Sequence, residues 1–145
     1  MSRENVELAQ RGYRAMNNML KSRKVDRPYI EEWWTPDSVL KPSGLLPESS
    51  EMRGHEGIAR FISIQMDAFE GLEVEPLEFL DAVDKVVVPI RFGGKARHTG
   101  LDVTFSVVHV LTVRQGKVAR LEMFRERAEA LEAAGLREDD VAHGG

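Results

Sequence analysis

The 145-residue chain contains no cysteine. Disulfides, thiolate nucleophiles and cysteine-based zinc sites are therefore excluded. The four histidines are scattered without the spacing of metal ligands, and no glycine-rich phosphate loop follows a strand. The sequence therefore predicts no metal, no nucleotide and no other cofactor.

Long runs of one character are also missing. The net charge is only −4, and the densest basic stretch is the short Lys21-Ser-Arg23-Lys24 segment, so nucleic acid is not a predicted partner. No segment approaches the length of a membrane span, and residues 1–25 lack the apolar core of a signal peptide. The chain is expected to be cytoplasmic, with no membrane partner.

Composition and periodicity predict one globular domain over residues 1–137, followed by a polar, flexible tail over 138–145. Helical spacing of apolar residues predicts a first helix with an apolar stripe from Val6 to Leu20. Pro28 fits the first turn of a short second helix, and Gly54 opens a third. A short extended segment, Ser38–Lys41, lies between them and precedes a Pro- and Gly-rich loop over 42–52.

The C-terminal half alternates as strands do. Val83–Lys85 is predicted to be a hairpin turn, after which Val86, Val88, Ile90 and Phe92 share one face. Pro89 lacks the N–H needed for a ladder bond, so it is expected at a bulge or an edge. The run from Phe105 to Leu136 predicts two strands joined at Arg114–Lys117 and a terminal helix. The fold class is therefore α+β, with a curved antiparallel sheet wrapped around helices.

Both faces of two strands are apolar. Val108 and Val110 lie opposite Val107 and Leu111 along residues 105–113. A sheet with one face in water should alternate apolar with polar residues. We therefore expect a second copy of the chain to cover the outer face, which predicts a homodimer.

His109 stands in the apolar row shared by Phe105, Val107 and Leu111. An imidazole titrates near neutral pH and burial readily changes its pKa, so His109 is a candidate general acid or base. A buried histidine that only satisfies a polar neighbour is an equally good interpretation.

Several segments in order resemble SnoaL-like proteins of the nuclear-transport-factor-like superfamily. They are Ser2–Val6, Tyr13–Asn17, Arg53–Gly57, His109–Thr112, Gly116–Val118 and Arg127–Leu136. The resemblance implies a cone-shaped barrel, made by a strongly bent sheet around a long helix, with an internal pocket and usually a homodimer. The superfamily includes polyketide cyclases, ketosteroid isomerase and epoxide hydrolases, as well as members with no known activity.

The resemblance also suggests residue roles. The acidic residue of the cyclases corresponds to Glu126, although a surface carboxylate at a helix N-terminus is the competing interpretation. Tyr13 matches the phenol that donates to an oxyanion in ketosteroid isomerase. The isomerase's base is absent, because Lys41 precedes Pro42 where a carboxylate is expected, and the epoxide hydrolase triad cannot be assembled convincingly.

The remaining candidates are assigned as pocket-lining residues. They are Trp33, Trp34, Gln65, Arg91, Phe105, Val107 and Leu111. For Arg91, an outward salt bridge across a dimer is the alternative, because a guanidinium among valines needs a partner or an anion.

Two functions stay open. One is a cofactor-free cyclase, isomerase or hydrolase acting on an apolar, carbonyl-bearing substrate, with His109, Glu126 and Tyr13 as the catalytic residues. The other is a non-catalytic module that binds a small apolar ligand or dimerises. Protein recognition of the transport-factor kind has little support, because the sequence shows no exposed aromatic groove.

Overall fold

The computed structural model describes residues 2–42 and 51–137. The predicted tail over 138–145 and most of the predicted loop, residues 43–50, lie outside this range. Within it the helices are α1 (Ser2–Ser22), α2 (Arg27–Trp33), α3 (Gly54–Ala68) and α4 (Arg127–Ala133). The strands are β1 (Trp34–Lys41), β2 (Met52–Arg53), β3 (Phe69–Pro76), β4 (Leu80–Ala82), β5 (Lys85–Ala96), β6 (Asp102–Arg114) and β7 (Lys117–Phe124).

The predicted α+β class is confirmed, with two differences in the sheet. The described strands follow the order β2-β1-β7-β6-β5-β3, with β4 paired to β5. β1 pairs with β7 in parallel, so the sheet is mixed rather than antiparallel. β2 and β3 lie at its two ends, so the cone is open rather than a closed barrel. The sequence missed the parallel pair because its partners are separated along the chain by one helix and five strands.

Two specific contacts hold the helix α1 in place, the first with α2 and the second with the sheet. Gly12 leaves room for the indole of Trp33, because a Cβ there would lie 2.0 Å from Cζ2 of that ring. Trp33 then donates from Nε1 to the carbonyl of Leu8 at 2.9 Å. Farther along, Asn17 donates to the carbonyl of Val74 and accepts from its N–H, both at 2.8 Å. Asn17 thus satisfies the backbone of β3, a strand at the end of the sheet.

The strand β5 continues from Lys85 to Ala96, beyond the predicted end at Phe92. At Pro89 the strand that pairs with β5 changes from β4 to β3. Val87 still pairs with Leu80 of β4, whereas Ile90 pairs with Pro76 of β3. The missing N–H of Pro89 therefore faces a break between two short strands, as predicted.

The two faces of β5 and β6 bury separate clusters. The inner face carries Val86, Val88, Ile90 and Leu111 in the main core against α1 and α3. The outer face carries a smaller cluster, with the following members packed together: Val87, Val108, Val110, Ala130 and Leu131. The chain's own helix α4 therefore covers this apolar outer patch. The expectation that a second copy is needed to cover it was wrong, because α4 folds back over the sheet.

No helix within the described ranges combines the length and apolar character that a bilayer span requires.

Candidate functional site: an apolar cavity with one tyrosine–histidine pair

A cavity of about 60 Å³ lies inside the cone, between α1, α2, α3 and the inner face of the sheet. Its walls are almost entirely apolar and, within the described residues, include no lysine, arginine, aspartate or glutamate. The lining residues are Gly12, Tyr13, Met16, Met19, Tyr29, Trp33, Trp34, Leu40, Ile58, Phe61, Ile62, Val74, Phe92, His109, Leu121 and Met123.

The principal polar feature of the cavity is a contact between α1 and β6. The hydroxyl of Tyr13 lies 2.8 Å from Nδ1 of His109, in a buried hydrogen bond. Their rings are roughly parallel, with centroids 5.9 Å apart. β6 places His109 at the middle of the sheet, opposite Val88 on β5 and Met123 on β7. The strand alternation that turns this imidazole inward is the one predicted from the sequence.

Both members of the pair are held uncharged. Burial lowers the pKa of His109 from 6.5 to about 3, because desolvation disfavours the imidazolium. Burial also raises the pKa of Tyr13 well above its usual value, because the phenolate would be desolvated too. At neutral pH the site therefore offers a neutral imidazole and a neutral phenol.

The hydrogen-bond partners also indicate the tautomer of His109. Within the described residues the Tyr13 hydroxyl has one acceptor in reach, Nδ1 of His109. If Tyr13 donates to Nδ1, the ring hydrogen resides on Nε2. That nitrogen is buried and has no hydrogen-bond partner in the described part of the chain. Buried polar atoms are normally satisfied, so in this tautomer Nε2 is a donor in need of an acceptor.

The pocket predictions are met in part. Trp33 and Trp34 line the cavity as expected, with ring centroids 5.1 Å apart. Val107 and Leu111 face inward but are buried in the core without lining the cavity. Phe105 is 36% exposed and stacks on Phe92 instead. The half-buried Gln65 on α3 is not a lining residue either.

Two predicted polar residues lie elsewhere. Arg91 points outward and forms a salt bridge with Glu75 on the neighbouring strand, at 3.2 Å. It is not in the pocket, because side chains at this position fall on the outer face of β5. Glu126 is exposed at the N-cap of α4 and does not line the cavity. The predicted catalytic residues His109 and Glu126 are therefore not brought together, since the chain turns outward into α4 just after Met123 and Phe124.

The sequence did not identify several lining residues. Tyr29 follows Pro28 in the short helix α2, and Met16, Met19 and Met123 also line the cavity. Met16 belongs to the apolar stripe of α1, but a stripe does not distinguish cavity from core. Among the described residues, no three histidine, aspartate or glutamate side chains are grouped so as to hold a metal ion.

The amino-acid sequence matches a known protein family. The SnoaL-like domain model matches residues 10–121, so the chain belongs to the SnoaL-like family. None of the curated proteins matches it.

Solved structures share the same fold. A protein assigned as a SnoaL-like polyketide cyclase from Jannaschia sp. CCS1 is 21% identical, with a TM-score of 0.70 and 86% of each chain covered. Bal32a, from a soil-derived mobile gene cassette, is 18% identical, with a TM-score of 0.71 over 84% of this chain and 88% of its own. TerC, crystallised with polyporic acid, is 24% identical, with a TM-score of 0.65 over 91% of this chain and 98% of its own.

Proposed function

We propose that the protein binds a small apolar molecule inside the cone and holds one carbonyl oxygen of it at the Tyr13–His109 pair. The observation that carries this proposal is the buried, unpartnered Nε2 of His109 in an otherwise apolar cavity. Ligand sites generally combine apolar walls with a few placed polar groups that fix orientation. Membership of the SnoaL-like family, and the small molecule crystallised with TerC, support a small-molecule role.

The size of the cavity constrains the ligand. About 60 Å³ holds a few water molecules, whereas pockets for larger organic ligands span roughly 300–1,000 Å³. Three methionines line the wall, namely Met16, Met19 and Met123. Methionine is unbranched and can repack around an irregular guest. A ligand of one or two rings is therefore expected to enter by displacing these side chains.

Binding is better supported than acid/base catalysis. A general base works best when its pKa lies near the working pH. Burial lowers the pKa of His109 to about 3, which makes the imidazole a weak base. No described carboxylate lines the cavity to take its place. The neutral imidazole is instead suited to donating a hydrogen bond from Nε2.

A second candidate uses the same geometry for chemistry. A neutral donor in a dry site stabilises negative charge that develops on a carbonyl oxygen, which is the electrophilic half of a cyclase or isomerase reaction. The Tyr13–His109 pair favours this role, with Tyr13 supporting the imidazole. A base would then have to come from the substrate itself or from bound water.

The binding proposal is tested with a matched pair of probes, butyrophenone and butylbenzene, which share a ring and a chain length and differ in the carbonyl. We expect the ketone to bind about tenfold more tightly, because one hydrogen bond to a buried donor contributes about 1 kcal/mol or more. Each probe is titrated into the protein while the ¹⁵N signals of the His109 ring are recorded, which gives the affinities. The chemical shift of Nε2 should change with the ketone and not with butylbenzene.

The variant His109→Leu should abolish the preference for the ketone, while His98→Ala on an exposed turn should preserve it. Thermal melting confirms that each variant is folded. Equal affinity for both probes in the unaltered protein would contradict the proposal, as would failure of both to bind.

We also propose that the chain forms a homodimer, as the family resemblance implies. The outer apolar patch no longer supports this proposal, since α4 covers it. Sedimentation equilibrium of the full chain would show twice the chain mass if it is right and the single mass if it is wrong. The cytoplasmic location likewise stays a prediction.

A further inference from the structure

A groove on the surface between α1 and α2 adjoins the cavity. Its walls carry Arg11, Arg14, Lys24 and Arg27, along with polar residues, and Arg27 is already paired with Glu56. Met19 and Tyr29 line both the groove and the cavity, so these two side chains stand between the surface and the interior.

The groove is locally cationic although the chain as a whole carries a net charge of −4. Arg11 and Arg14 are three residues apart on α1 and therefore share one face of the helix. Neither they nor Lys24 forms an ion pair with any residue in ranges 2–42 and 51–137. The one acidic residue of the groove, Asp26, already caps α2 by accepting from the N–H of Tyr29.

Tyr29 gives a second, independent indication of a ligand. Its hydroxyl is buried and has no hydrogen-bond partner in the described part of the chain. Burial raises the pKa of Tyr29 to about 12, the charges of Arg11 and Arg14 oppose that rise, and those of Glu32 and Asp26 add to it. The phenol and the two arginines line the same groove, and Tyr29 also lines the cavity.

We propose that the ligand of this cavity is an apolar carboxylic acid, whose carboxylate is held in the groove by Arg11 and Arg14 beside the Tyr29 hydroxyl. Its apolar body passes between Met19 and Tyr29 and reaches the Tyr13–His109 pair. This inference rests on the proposed function and adds the chemical class of the ligand. Arginine suits the task because its planar fork matches the two oxygens of a carboxylate.

A second surface depression meets the cavity on the other side of α1. It is lined by Gln10, Tyr13, Arg14, Asn17, Pro76 and Phe79. Only one cation, Arg14, is among these residues, and the hydroxyl of Tyr13 is already bonded to His109. Because Arg11 lines the α1–α2 groove and not this depression, it distinguishes the two routes.

The probes are 4-oxo-4-phenylbutanoate and its methyl ester, which share a ketone and an aryl ring and differ in the charge of the head group. We expect the acid to bind the full-length protein about tenfold more tightly than the ester at low salt. Raising the salt to about 0.5 M should shrink this ratio, because the groove is exposed and its charges are screened. Isothermal titration calorimetry gives the affinities.

The variant Arg11→Gln should reduce the ratio about threefold, and Arg11→Gln with Arg14→Gln should bring it close to one, because the carboxylate then loses both guanidinium partners. The matched control is Lys21→Gln with Arg60→Gln, which removes the same net charge from exposed positions outside the groove. This control should preserve the ratio.

The outcomes separate the two proposals. An ester that binds, together with an acid that binds no more tightly, would overturn this inference and leave the proposed function standing. A gain that depends on Arg14 but not on Arg11 would overturn it in favour of the second depression. Failure of both probes to bind would overturn the proposed function and this inference with it.

Discussion

The two faces of β5 and β6 are both apolar, yet they differ in what they contain. The outer face presents Val87, Val108 and Val110 to Ala130 and Leu131 of α4, and these side chains form one buried apolar cluster. The inner face of the same strands borders a cavity and carries His109, which is bonded to Tyr13 and whose Nε2 has no partner among the described residues.

Apolar alternation alone does not distinguish a closely packed face of a sheet from one that borders a ligand site. Close packing of side chains completes the outer face, so its residues stabilise the fold and need no ligand. The inner face leaves both space and an unsatisfied donor, which closely packed cores avoid. A functional site is thus indicated here by incomplete packing and incomplete hydrogen bonding, and not by hydrophobicity.

The largest expected effect tests the outer face. Leu131 is 1% exposed, so Leu131→Ala should lower the free energy of unfolding by about 3 kcal/mol, through lost transfer energy and the cavity left behind. Because α4 is remote from the cavity, the affinity for butyrophenone should not change. Urea denaturation and the probe titration measure the two effects.

Leu101→Ala is the control for that substitution, since Leu101 is 66% exposed and should cost little. A loss below about 1 kcal/mol for Leu131→Ala would mean that α4 does not cover the sheet in solution.

The second prediction concerns the contact between α1 and α2, which closes the cavity over the inner face. Gly12→Ala would place a Cβ 2.0 Å from the Trp33 ring, which must then move. We expect a net loss of about 2 kcal/mol in the free energy of unfolding, because the strain exceeds the roughly 1 kcal/mol that alanine gains over glycine in a helix.

The affinity for butyrophenone should fall as well, because Trp33 lines the cavity. Gly93→Ala is the matched control, since nothing lies within 4 Å of the Cβ it would add. A stabilising Gly12→Ala would show that Trp33 does not pack on α1 as described.

Much of this architecture could be predicted from the sequence. Period-two alternation turned His109 inward, the missing N–H of Pro89 predicted an interruption in its pairing, and Pro28 marked the start of α2. These features depend on local backbone geometry, which a single sequence reports well.

The rest depends on contacts between distant segments. The parallel pairing of β1 with β7 and the return of α4 over Val108 join residues far apart in the chain, and no local pattern encodes them. Glu126 illustrates the same limit for the site. Its spacing matched the expected acid, but the direction of the chain after Met123 exposes it, and spacing alone does not give that direction.

The third prediction uses pH to separate the two faces, since His109 is on the inner one. Its pKa is about 3 in the folded protein and 6.5 as the reference value for the unfolded chain. Between these values the unfolded chain binds a proton that the folded protein does not. Stability is therefore unaffected by this group above about pH 6.5 and falls as the pH drops below it, by about 1.4 kcal/mol at pH 5.5.

Urea denaturation at pH 7.5 and about pH 5.5 measures the loss, and the double variant Tyr13→Phe with His109→Leu is the reference that lacks the imidazole. The difference between the two proteins isolates His109 from the other titrating groups. Identical pH dependence for both would show that this imidazole is not buried.

The smallest expected effect asks whether the pair itself stabilises the fold. Tyr13→Phe leaves Nδ1 of His109 buried without its partner, so it should cost about 1 kcal/mol or slightly more. Adding His109→Leu removes the stranded imidazole, and the double variant should recover most of that loss, because an apolar pair needs no hydrogen bond. A double-mutant cycle in urea gives the coupling energy.

If the pair is retained for ligand binding, the double variant should match the unaltered protein in stability while losing its preference for butyrophenone over butylbenzene. A double variant that keeps this preference would mean that the inner face, like the outer one, is only packing.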